Sequence, residues 1–476
     1  MQAISFEELI AIIGGTPVSI TDLKAQCHRL EIDSRKIQPG DLFWALEGER
    51  HDGHKFTKQA FASGAVAAVV EAEKSARVHG PRIEVEDSLF ALWQLAHWHR
   101  RRSEALVIGV TGSVGKTTTR RMIASVLSAR FSGIESPLNF NNKFGVPLSL
   151  LQLEPHHEFA VIELGASRQG EIEALSTVAE PEVGAITAIG PAHLDEFGNL
   201  ETIVKTKGEL LDSLPSAGFA VLNGDDKLVL QMASRATCPV IFVGEKEHNT
   251  VRATAVIQED HRLLFQVNQT AFQVQVTGRH HLTSALIAVA IGQHLEMADE
   301  EIAAGLQAFS AVSGRCEVRS IGEWTVIDDT YNANPLSMSA ACQILKDWSG
   351  PGKRILVTGD MLSLGTWSKD FHRLFGEEAA RSRLNRLISI GTHAGIVTAS
   401  ARKHGMDAGC LGLAQDHDLA LLLLDCWLEQ GDVVLVKGSR GMKMEAVVHG
   451  LERLAEQRRS QRQHPGSSSN DDRRAA

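Results

Sequence analysis

The sequence predicts an α/β protein of three domains: an N-terminal α/β domain, a central domain built on a mostly parallel sheet, and a C-terminal Rossmann-like α/β domain. The first observation is length, because 476 residues are too many for one ordinary hydrophobic core. The second is that apolar segments alternate with helical periodicity from residue 105 onward, as they do in parallel sheets. We place the domains at 1–103, 104–312 and 313–456.

Each domain has its own run of elements. The first contains short strand and helix signals and ends in a helical stretch at 89–102, which closes on three consecutive arginines. The strands predicted for the central domain lie at 105–110, 159–162, 183–189, 219–222 and 240–243. Those predicted for the C-terminal domain lie at 324–327, 354–357, 387–390 and 433–436. Residues 457–476 are polar and are expected to be disordered, because they cannot bury enough apolar area to offset the entropy of ordering.

Composition excludes several classes of protein. With 48 basic against 58 acidic residues the net charge is −10, so the basic footprint of a nucleic-acid-binding protein is missing. No apolar run approaches the roughly 20 residues that span a bilayer, and the N-terminus does not resemble a secretory signal. The six cysteines are scattered without a paired motif, which favours a reducing compartment. We expect a cytoplasmic protein with no nucleic-acid partner and no membrane span.

The segment 109–119 reads G-V-T-G-S-V-G-K-T-T-T and lies between a predicted strand and a predicted helix. Such a turn lets backbone N–H groups approach an anion, Lys116 can reach the β- and γ-phosphates, and Thr117 can offer a hydroxyl to Mg²⁺. The spacing departs from the usual loop at Val110, where glycine is expected, and a chance G-K-T is the alternative. The flanking strand and helix favour a nucleoside triphosphate site. Its residues would be Gly112, Ser113, Val114, Gly115, Lys116, Thr117 and Thr118.

Five further positions carry groups suited to metal or anion chemistry, each with an ordinary structural alternative. Glu163 ends an apolar strand, where a carboxylate can serve Mg²⁺ or simply face solvent. His193 lies in a loop and could be surface, and periodicity alone makes Lys205 and Lys207 an exposed helix face. Asn139 opens an amide-rich segment suited to hydrogen bonding with phosphate or carboxylate. The residues alone leave these alternatives open.

Two segments after residue 312 indicate a contribution from the last domain. Asp328 and Asp329 stand at a strand end and open the run D-D-T-Y-N-A-N-P, which indicates a contact loop rather than a simple turn. Arg315, between two domains, is either a linker charge or a phosphate clamp that acts across the domain boundary. Arginine suits the second role because its guanidinium has a fixed, bidentate geometry.

These motifs resemble those of the Mur ligase family, in order through nearly the whole chain. The segments 331–335 and 437–442 favour the dipeptide-adding member, and the D-N-P-R motif of the member that adds the third residue is absent. The matching motifs are D-S-R-x-x-x-P-G-D-L-F at 33–43, D-G-H-x-F at 52–56, T-G-S-x-G-K-T-T at 111–118, N-x-N-N-x-x-G-V-P at 139–147, E-L-G-A-S-x-x-G-E-I at 163–172, A-H-L-x-x-F-G at 192–198, K-x-K-G-E at 205–209, S-G-R at 313–315, D-D-T-Y-N-A-N-P at 328–335, G-D-M-L at 359–362 and L-V-K-G-S-R-G-M at 435–442.

The resemblance implies roles residue by residue. Lys116 would hold the β- and γ-phosphates, while Thr117 and Glu163 would serve one Mg²⁺. His193 would bind a second Mg²⁺ together with a carbamylated Lys207, which matches the family's modified position better than the lysine two residues earlier. The expected catalytic residues are Lys116, Lys207, Arg315 and Asp329; the last two and Asn332 would reach the nucleotide. The residues expected at the UDP-linked substrate are Ser34, Arg35, Asp52, His54 and Asn139.

The implied reaction is ATP-driven amide bond formation in peptidoglycan synthesis, by a monomer. A carboxylate of UDP-N-acetylmuramoyl-tripeptide would attack the γ-phosphate to give an acyl phosphate, and the amine of D-alanyl-D-alanine would then displace phosphate. The implied cofactors are ATP, two Mg²⁺ ions and the carbamylated lysine. The alternatives are a sister ligase, such as a folylpolyglutamate synthase, and a nucleotide-switch ATPase that hydrolyses ATP to move its domains.

The chain departs from the family pattern in two places. After Gly278 it has His281 and Ser284 at positions where relatives have asparagines that contact nucleotide. Ser363 stands where the usual G-D-M-L-E-L-G has a glutamate. Neither change removes a residue of the metal or phosphate chemistry.

Overall fold

A computed structural model describes residues 3–48, 51–259 and 261–463 and confirms the predicted α/β class. Each of its three large sheets lies within one of the three predicted domains. The domain boundaries themselves stay predictions. Within the described ranges, no helix has both the length and the apolar character needed to cross a membrane.

The N-terminal domain has a five-stranded sheet in the order β2-β7-β6-β5-β4, in which only β2 is antiparallel to its neighbour, and a separate antiparallel pair of β1 with β3. Its strands are β1 (Ile4–Ser5), β2 (Thr16–Val18), β3 (Gln26–Cys27), β4 (Leu30–Glu31), β5 (Leu42–Trp44), β6 (Ala67–Glu71) and β7 (Arg82–Val85). Its helices are α1 (Phe6–Ile13), α2 (Thr57–Ala62) and α3 (Ser88–Arg101).

The arginines at the end of α3 attach this domain to the next one. Arg100 is buried, and its guanidinium donates to the carbonyls of Ala179 (2.9 Å) and Glu180 (3.1 Å) and to the Glu182 carboxylate (2.6 Å). The predicted helix at 89–102 is therefore present one residue earlier at each end, and part of its arginine cluster is an interdomain anchor.

The central domain has a nine-stranded sheet in the order β16-β15-β14-β13-β12-β11-β8-β10-β9. The part from β14 to β9 is parallel, and β14, β15 and β16 form an antiparallel meander that the sequence did not predict. The strands are β8 (Leu106–Thr111), β9 (Gly133–Glu135), β10 (Phe159–Glu163), β11 (Val183–Ile186), β12 (Phe219–Asn223), β13 (Val240–Gly244), β14 (Val251–Glu259), β15 (Arg262–Val267) and β16 (Thr270–Val274). The helices are α4 (Lys116–Leu127), α5 (Gly145–Leu150), α6 (Glu171–Ala179), α7 (Leu194–Phe197), α8 (Leu200–Asp212), α9 (Lys227–Met232), α10 (Leu282–His294) and α11 (Asp299–Ala308).

The order of strands decides where a ligand can bind. The first strand, β8, lies between β10 and β11, so the chain leaves β8 in opposite directions to build the two halves of the sheet. In open parallel sheets this switch point leaves a crevice at the carboxyl ends of the strands. The glycine-rich turn follows β8 and therefore opens into that crevice.

The C-terminal domain has a six-stranded sheet in the order β17-β18-β22-β19-β20-β21, parallel except for β17. Its strands are β17 (Glu317–Ile321), β18 (Trp324–Asp329), β19 (Arg354–Thr358), β20 (Arg386–Ile390), β21 (Leu411–Ala414) and β22 (Val433–Lys437). Its helices are α12 (Pro335–Asp347), α13 (Ser368–Arg381), α14 (Ala394–Lys403), α15 (His417–Trp427) and α16 (Glu445–Gln463). The short 3₁₀ turns of the described chain are Gly53–Phe56, Ala72–Arg77, Ala233–Arg235, Arg279–His281, Gly365–Trp367, Ala408–Cys410 and Arg440–Met442.

The predicted disorder of 457–476 is wrong for its first residues, since α16 continues to Gln463. The helix is held near this end by Arg458, whose guanidinium pairs with Asp425 (2.8 Å) and lies 5.1 Å above the ring of Trp324. Composition alone did not reveal these contacts. Residues 464–476 lie outside the described residues.

The approach of α11 to α4 depends on a glycine. A Cβ on Gly305 would lie 2.4 Å from the Cα of Val126 and 2.8 Å from the carbonyl oxygen of Ser125. Both atoms belong to the backbone of α4, so neither can rotate away. The helix that follows the glycine-rich turn is thus packed directly against α11.

Gly305→Ala should lower the thermal unfolding midpoint of the protein, by the equivalent of about 1–3 kcal/mol, because overpacking forces the two helices apart. Gly395→Ala is the matched control, since Gly395 lies in α14 and its Cβ would meet only Leu413 at 3.6 Å. Loss of a helical glycine there should stabilise by up to about 1 kcal/mol. Differential scanning calorimetry compares the two variants, and an unchanged midpoint for Gly305→Ala would contradict the tight packing.

Candidate active site

The glycine-rich turn after β8 is held against the loop that follows β11. Gly112 has a φ of +146°, and a Cβ there would lie 2.1 Å from the hydroxyl oxygen of Thr187, so only glycine fits. The Ser113 amide donates to the Ala188 carbonyl (2.7 Å), and the Ser113 hydroxyl donates to the Gly190 carbonyl (2.9 Å). These contacts close the turn before α4 begins, as in a phosphate-binding loop.

The departure from the usual spacing at Val110 has a structural explanation. Val110 is the penultimate residue of β8 and is fully buried, so it belongs to the strand rather than to the turn. The positive φ values that the turn needs are supplied by Gly112 and Gly115.

Lys116, the first residue of α4, curls back over the turn and donates from Nζ to the Gly112 carbonyl (2.9 Å). Burial lowers the pKa of its amine, Glu163 opposes that shift, and the neighbouring Arg315 adds to it. Two cations held together in a partly buried place favour an anionic ligand between them. The site therefore has the charge required by a triphosphate.

Glu163 is buried at the end of β10, and its two carboxylate oxygens are shared among three neighbours. Oε2 accepts from the Thr117 hydroxyl (2.8 Å) and lies 3.5 Å from Arg120 Nη1, and Oε1 accepts from the Asn141 side-chain amide (2.8 Å). The Glu163 backbone amide donates to the Ser136 hydroxyl (3.0 Å). The solvent-facing alternative for Glu163 is excluded by its burial.

Sequence reasoning missed Arg120 and Asn141 as neighbours of this carboxylate. It chose Asn139 from the amide-rich segment, and Asn139 is exposed at the edge of the cavity that contains the glycine-rich turn. The signal for Asn141 was present in the same N-x-N-N motif, but spacing alone does not tell which amide of a loop turns inward.

The two lysines of α8 have opposite environments. Lys205 is exposed, whereas Lys207 is buried, with 3% of its surface accessible. Lys207 Nζ donates to the Ala166 carbonyl (3.1 Å) and lies 5.4 Å from the centre of the Phe197 ring. Burial, and then the charge of Lys116, lowers the pKa of Lys207 to about 7. A substantial neutral fraction of this amine is therefore present near neutral pH.

His193 caps the short helix α7 in the left-handed region, at a φ of +54°. Non-glycine residues adopt this conformation infrequently, and it is often retained at functional sites. Burial, and then the charge of Lys116, lowers the pKa of His193. A neutral imidazole is the form that ligates metals.

The C-terminal domain places a second set of residues opposite the turn. The Arg315 guanidinium lies 4.1 Å above the Tyr331 ring, and its buried Nε has no hydrogen-bond partner among the described residues. Lys437 at the end of β22 donates to the Asp329 carboxylate (2.6 Å) and to the Asn332 carbonyl (2.9 Å). Lys437 was not among the sequence candidates, although Asp329 and Lys437 are paired directly in the sheet register.

Two cavities meet at this site. The first, of about 540 Å³, lies between the central and C-terminal domains and is lined by the glycine-rich turn, Glu163, Arg315, Asp329 and Asn332. The second, of about 880 Å³, lies between the central and N-terminal domains and includes Lys207. The residues common to both cavities are Ser113, Lys116, Asn141 and His193.

The four N-terminal candidates do not line the second cavity. Ser34 is buried and donates from its hydroxyl to the Gln59 side chain (3.1 Å), and Arg35 is exposed and paired with Asp33 (2.8 Å). The N-terminal residues that the described structure does place on this cavity include His51 and Trp93.

Asp52 and His54 organise their own turn. The His54 imidazole contacts the Asp52 carboxylate (2.7 Å) and accepts from the amide of Glu71 (2.9 Å), so both ring nitrogens have partners within the domain. A direct contact of these two residues or of Ser34 and Arg35 with a uridine nucleotide stays a prediction.

Comparison with known proteins places this geometry in a family. Residues 26–100, 110–292 and 314–440 match the descriptions "Mur ligase family, catalytic domain", "Mur ligase middle domain" and "Mur ligase, glutamate ligase domain". The UDP-N-acetylmuramoyl-tripeptide--D-alanyl-D-alanine ligase of Escherichia coli is 36% identical, over 95% of this chain and 99% of its own length. The chain belongs to the Mur ligase family.

Solved structures of Mur ligases share the three-domain architecture. A crystal structure of MurF from Acinetobacter baumannii has a TM-score of 0.86 at 31% identity and covers 95% of this chain and 99% of its own. MurF from Thermotoga maritima, solved in complex with ADP, has a TM-score of 0.78 at 28% identity and covers 90% of this chain and 98% of its own.

The residues that depart from the Mur ligase pattern make contacts both within and between domains. Ser284 accepts a hydrogen bond from the Thr119 hydroxyl (2.8 Å), which joins α10 to α4, and His281 lies on the wall of the first cavity. The Ser363 carbonyl accepts from the Asp195 amide (3.4 Å) across the junction of the central and C-terminal domains.

Proposed function

We propose that the chain is an ATP-dependent ligase that joins D-alanyl-D-alanine to UDP-N-acetylmuramoyl-tripeptide through an acyl phosphate. The observation that carries the proposal is the meeting of two cavities at Ser113, Lys116, Asn141 and His193. A nucleotide in the first cavity and a peptide carboxylate in the second would bring their reacting groups to the same lysine.

The relatives support the choice of substrates. The Escherichia coli protein carries the name of this ligase, and the Thermotoga maritima structure contains ADP. We assign the same substrates to this chain because the similarity extends through all three domains.

Charge is the physical problem that the first step must solve. A carboxylate that attacks the γ-phosphate approaches a group of the same sign. Lys116 of the central domain and Arg315 of the C-terminal domain both line the first cavity and can offset this repulsion. The same enclosure would limit water, which would otherwise hydrolyse the acyl phosphate. The amine of the dipeptide then attacks the acyl carbon, and phosphate leaves.

The residues present fit a magnesium ion at Glu163. The carboxylate is buried at the cavity wall beside the Thr117 hydroxyl, which gives the oxygen donors that Mg²⁺ prefers. Mg²⁺ bound there would supply positive charge to the triphosphate. Asn141 would orient the carboxylate through its hydrogen bond to Oε1.

Lys207 fits the role of a carbamylated lysine with His193 at a second Mg²⁺. A neutral amine attacks CO₂ to give an N-carboxylate and one proton, and the lowered pKa of Lys207 makes the neutral form available. The product would offer oxygen atoms to a cation, which an ammonium group cannot do. Lys207 and His193 both line the second cavity.

Asp329 and Lys437 would position the nucleotide-facing loop rather than react. Their ion pair is mostly buried, and the lysine also holds the carbonyl of Asn332. This arrangement places Tyr331 and Asn332 on the first cavity, where Tyr331 stacks against Arg315.

Two other functions are separated from the proposal by substrate dependence. A sister amide ligase would require a different acid or amine, and a nucleotide-switch ATPase would require neither.

We place the activity in the bacterial cytoplasm, consistent with six unpaired cysteines, and we propose a monomer.

Phosphate release from ATP should require UDP-N-acetylmuramoyl-tripeptide and D-alanyl-D-alanine together and should yield the extended peptide. A coupled phosphate assay, with each substrate omitted in turn and the product analysed by mass spectrometry, measures this dependence.

Lys116→Ala should lower the rate in the same assay by about 10²–10³ or more because one charge contact to the transferred group is lost. Full phosphate release without either substrate would favour a switch ATPase, and full activity of Lys116→Ala would refute the phosphate-loop assignment.

Lys207→Ala should be nearly inactive and should be partly restored by short carboxylates such as acetate, which can occupy the place of the carbamate. Lys205→Ala is the matched control from the same helix and should be much milder, since Lys205 is exposed. Activity of both variants with and without acetate tests the assignment. Carbon-13 NMR with labelled bicarbonate should show a carbamate in the wild type only, and a carbamate retained in Lys207→Ala would place the modification elsewhere.

Arg315→Ala should lower kcat far more than it weakens ATP binding, because the guanidinium would act on the charge that develops during phosphoryl transfer. It should also slow acyl phosphate formation when the dipeptide is omitted. Rapid-quench measurement of acyl phosphate and calorimetry of ATP binding separate the two effects. Unaltered acyl phosphate formation would show that Arg315 is only a linker charge.

A further inference from the structure

Two histidines and a cysteine form a cluster that the reaction above does not use. His280 and His281 end the 3₁₀ turn that precedes α10 in the central domain, and Cys316 directly precedes β17 in the C-terminal domain. The ligating atoms of the three side chains all lie within 4.8 Å of one another, and Cys316 Sγ is 3.9 Å from His280 Nε2. The cluster spans a domain boundary.

We propose that His280, His281 and Cys316 form a binding site for Zn²⁺, which would tie the C-terminal domain to the central domain at the wall of the first cavity.

The donor set fits this cation. Two imidazole nitrogens and one thiolate are common ligands of Zn²⁺, and three protein ligands leave a fourth position open. Tetrahedral bond lengths and angles imply donor separations of about 3.3–3.6 Å, so the observed cluster needs side-chain movements on the order of 1 Å to close around the ion. Such movements are available through rotation about the side-chain bonds.

Among the described residues, the two histidines make no side-chain hydrogen bond outside the cluster, whereas the Cys316 thiol also hydrogen-bonds to the Asp329 carboxylate. Neither ring nitrogen of His281 makes a hydrogen bond within the described part of the chain, although the ring is buried. Cys316 is also buried and adopts a left-handed φ of +54°, which is costly for a residue with a side chain. This backbone conformation occurs where the thiol meets His280.

The protonation states of His281 and Cys316 are compatible with zinc binding. Burial lowers the pKa of His281 well below its usual range, so its ring is neutral at pH 7 and can ligate. Burial raises the pKa of the Cys316 thiol, so the thiol is protonated before the ion arrives. Binding forms the sulfur–zinc bond and releases that one proton to solvent. Water would complete the fourth position, because the neighbouring Asp329 carboxylate is paired with Lys437.

The cluster is accessible from two sides. A third cavity, of about 460 Å³, shares four wall residues with the first cavity: Thr118, His281, Arg315 and Cys316. An ion can therefore enter without unfolding the site. Once bound, it would fix Arg315, the neighbour of Cys316 in sequence, relative to the central domain and would slow any cycle that requires the domains to separate.

The test uses the full chain under anaerobic conditions, with Co²⁺ as a spectroscopic probe for Zn²⁺ and a large excess of Mg²⁺ to occupy oxygen-ligand sites. The wild type should bind one equivalent of Co²⁺ with a sulfur-to-cobalt charge-transfer band and tetrahedral d–d bands, both abolished by one equivalent of Zn²⁺. Cys316→Ser should lose the charge-transfer band, and His281→Asn should weaken cobalt binding at least tenfold. Cys410→Ser, which removes a half-buried thiol elsewhere in the C-terminal domain, should leave the charge-transfer band and the affinity for cobalt unchanged.

A second measurement follows ATP turnover in the presence of added Zn²⁺. Wild type and Cys410→Ser should be inhibited at Zn²⁺ concentrations at least tenfold lower than those that inhibit Cys316→Ser, provided that circular dichroism shows Cys316→Ser to be folded. If Cys316→Ser is not folded, the Zn²⁺ concentration that inhibits His281→Asn is compared with the concentration that inhibits the wild type, and the variant should again need at least tenfold more. A wild type without the charge-transfer band, or a folded Cys316→Ser variant that retains it, would overturn the proposal.

Discussion

The close contact of Gly112 with Thr187 is the constraint on which the candidate site depends. It joins the turn after β8 to the loop after β11, and the hydrogen bonds of Ser113 hold the two together. Because β8 lies between β10 and β11, this closure also leaves Glu163, at the end of β10, beside the first turn of α4. The geometry of the glycine-rich turn and the position of the buried carboxylate beside it are therefore consequences of one strand order and one glycine.

Burial then determines how readily the two lysines of the site carry a charge. Lys116 and Lys207 both have lowered pKa values because the protein around them desolvates their ammonium groups. A neighbouring cation adds to the effect, Arg315 for Lys116 and Lys116 for Lys207. For Lys116 an incoming triphosphate relieves this cost. For Lys207 the amine can instead become neutral, which prepares it for reaction with CO₂. One physical effect thus supports two different proposed roles, and the partner available to each lysine decides between them.

The three domains supply different parts of the two cavities. The central domain provides the turn and the buried carboxylate, the C-terminal domain provides Arg315 and the Asp329–Lys437 pair, and the N-terminal domain closes the second cavity with residues such as Trp93. The junctions are close contacts: a Cβ on Gly190 would lie 2.3 Å from Leu336 of the C-terminal domain, and Arg100 binds central-domain carbonyls. A reaction at the junction of all three domains can exclude water better than one on a single surface.

The sequence by itself determined the α/β class, most parallel strands and the glycine-rich turn between a strand and a helix, because strand periodicity and the residues around Lys116 are local signals. The sequence did not predict the antiparallel β14–β16 meander, which depends on strand pairing. It also did not predict the helical end of α16, which depends on the contacts of Arg458 with Asp425 and Trp324. Only the tertiary structure distinguished buried Lys207 from exposed Lys205, turned Asn141 toward Glu163, and used both nitrogens of His54 inside its own domain. It also brought His280 and His281 to Cys316. Apart from the contact of His54 with Asp52, two residues away, these outcomes are set by neighbours that are distant in the chain. Residue type and local spacing do not encode which neighbours those are.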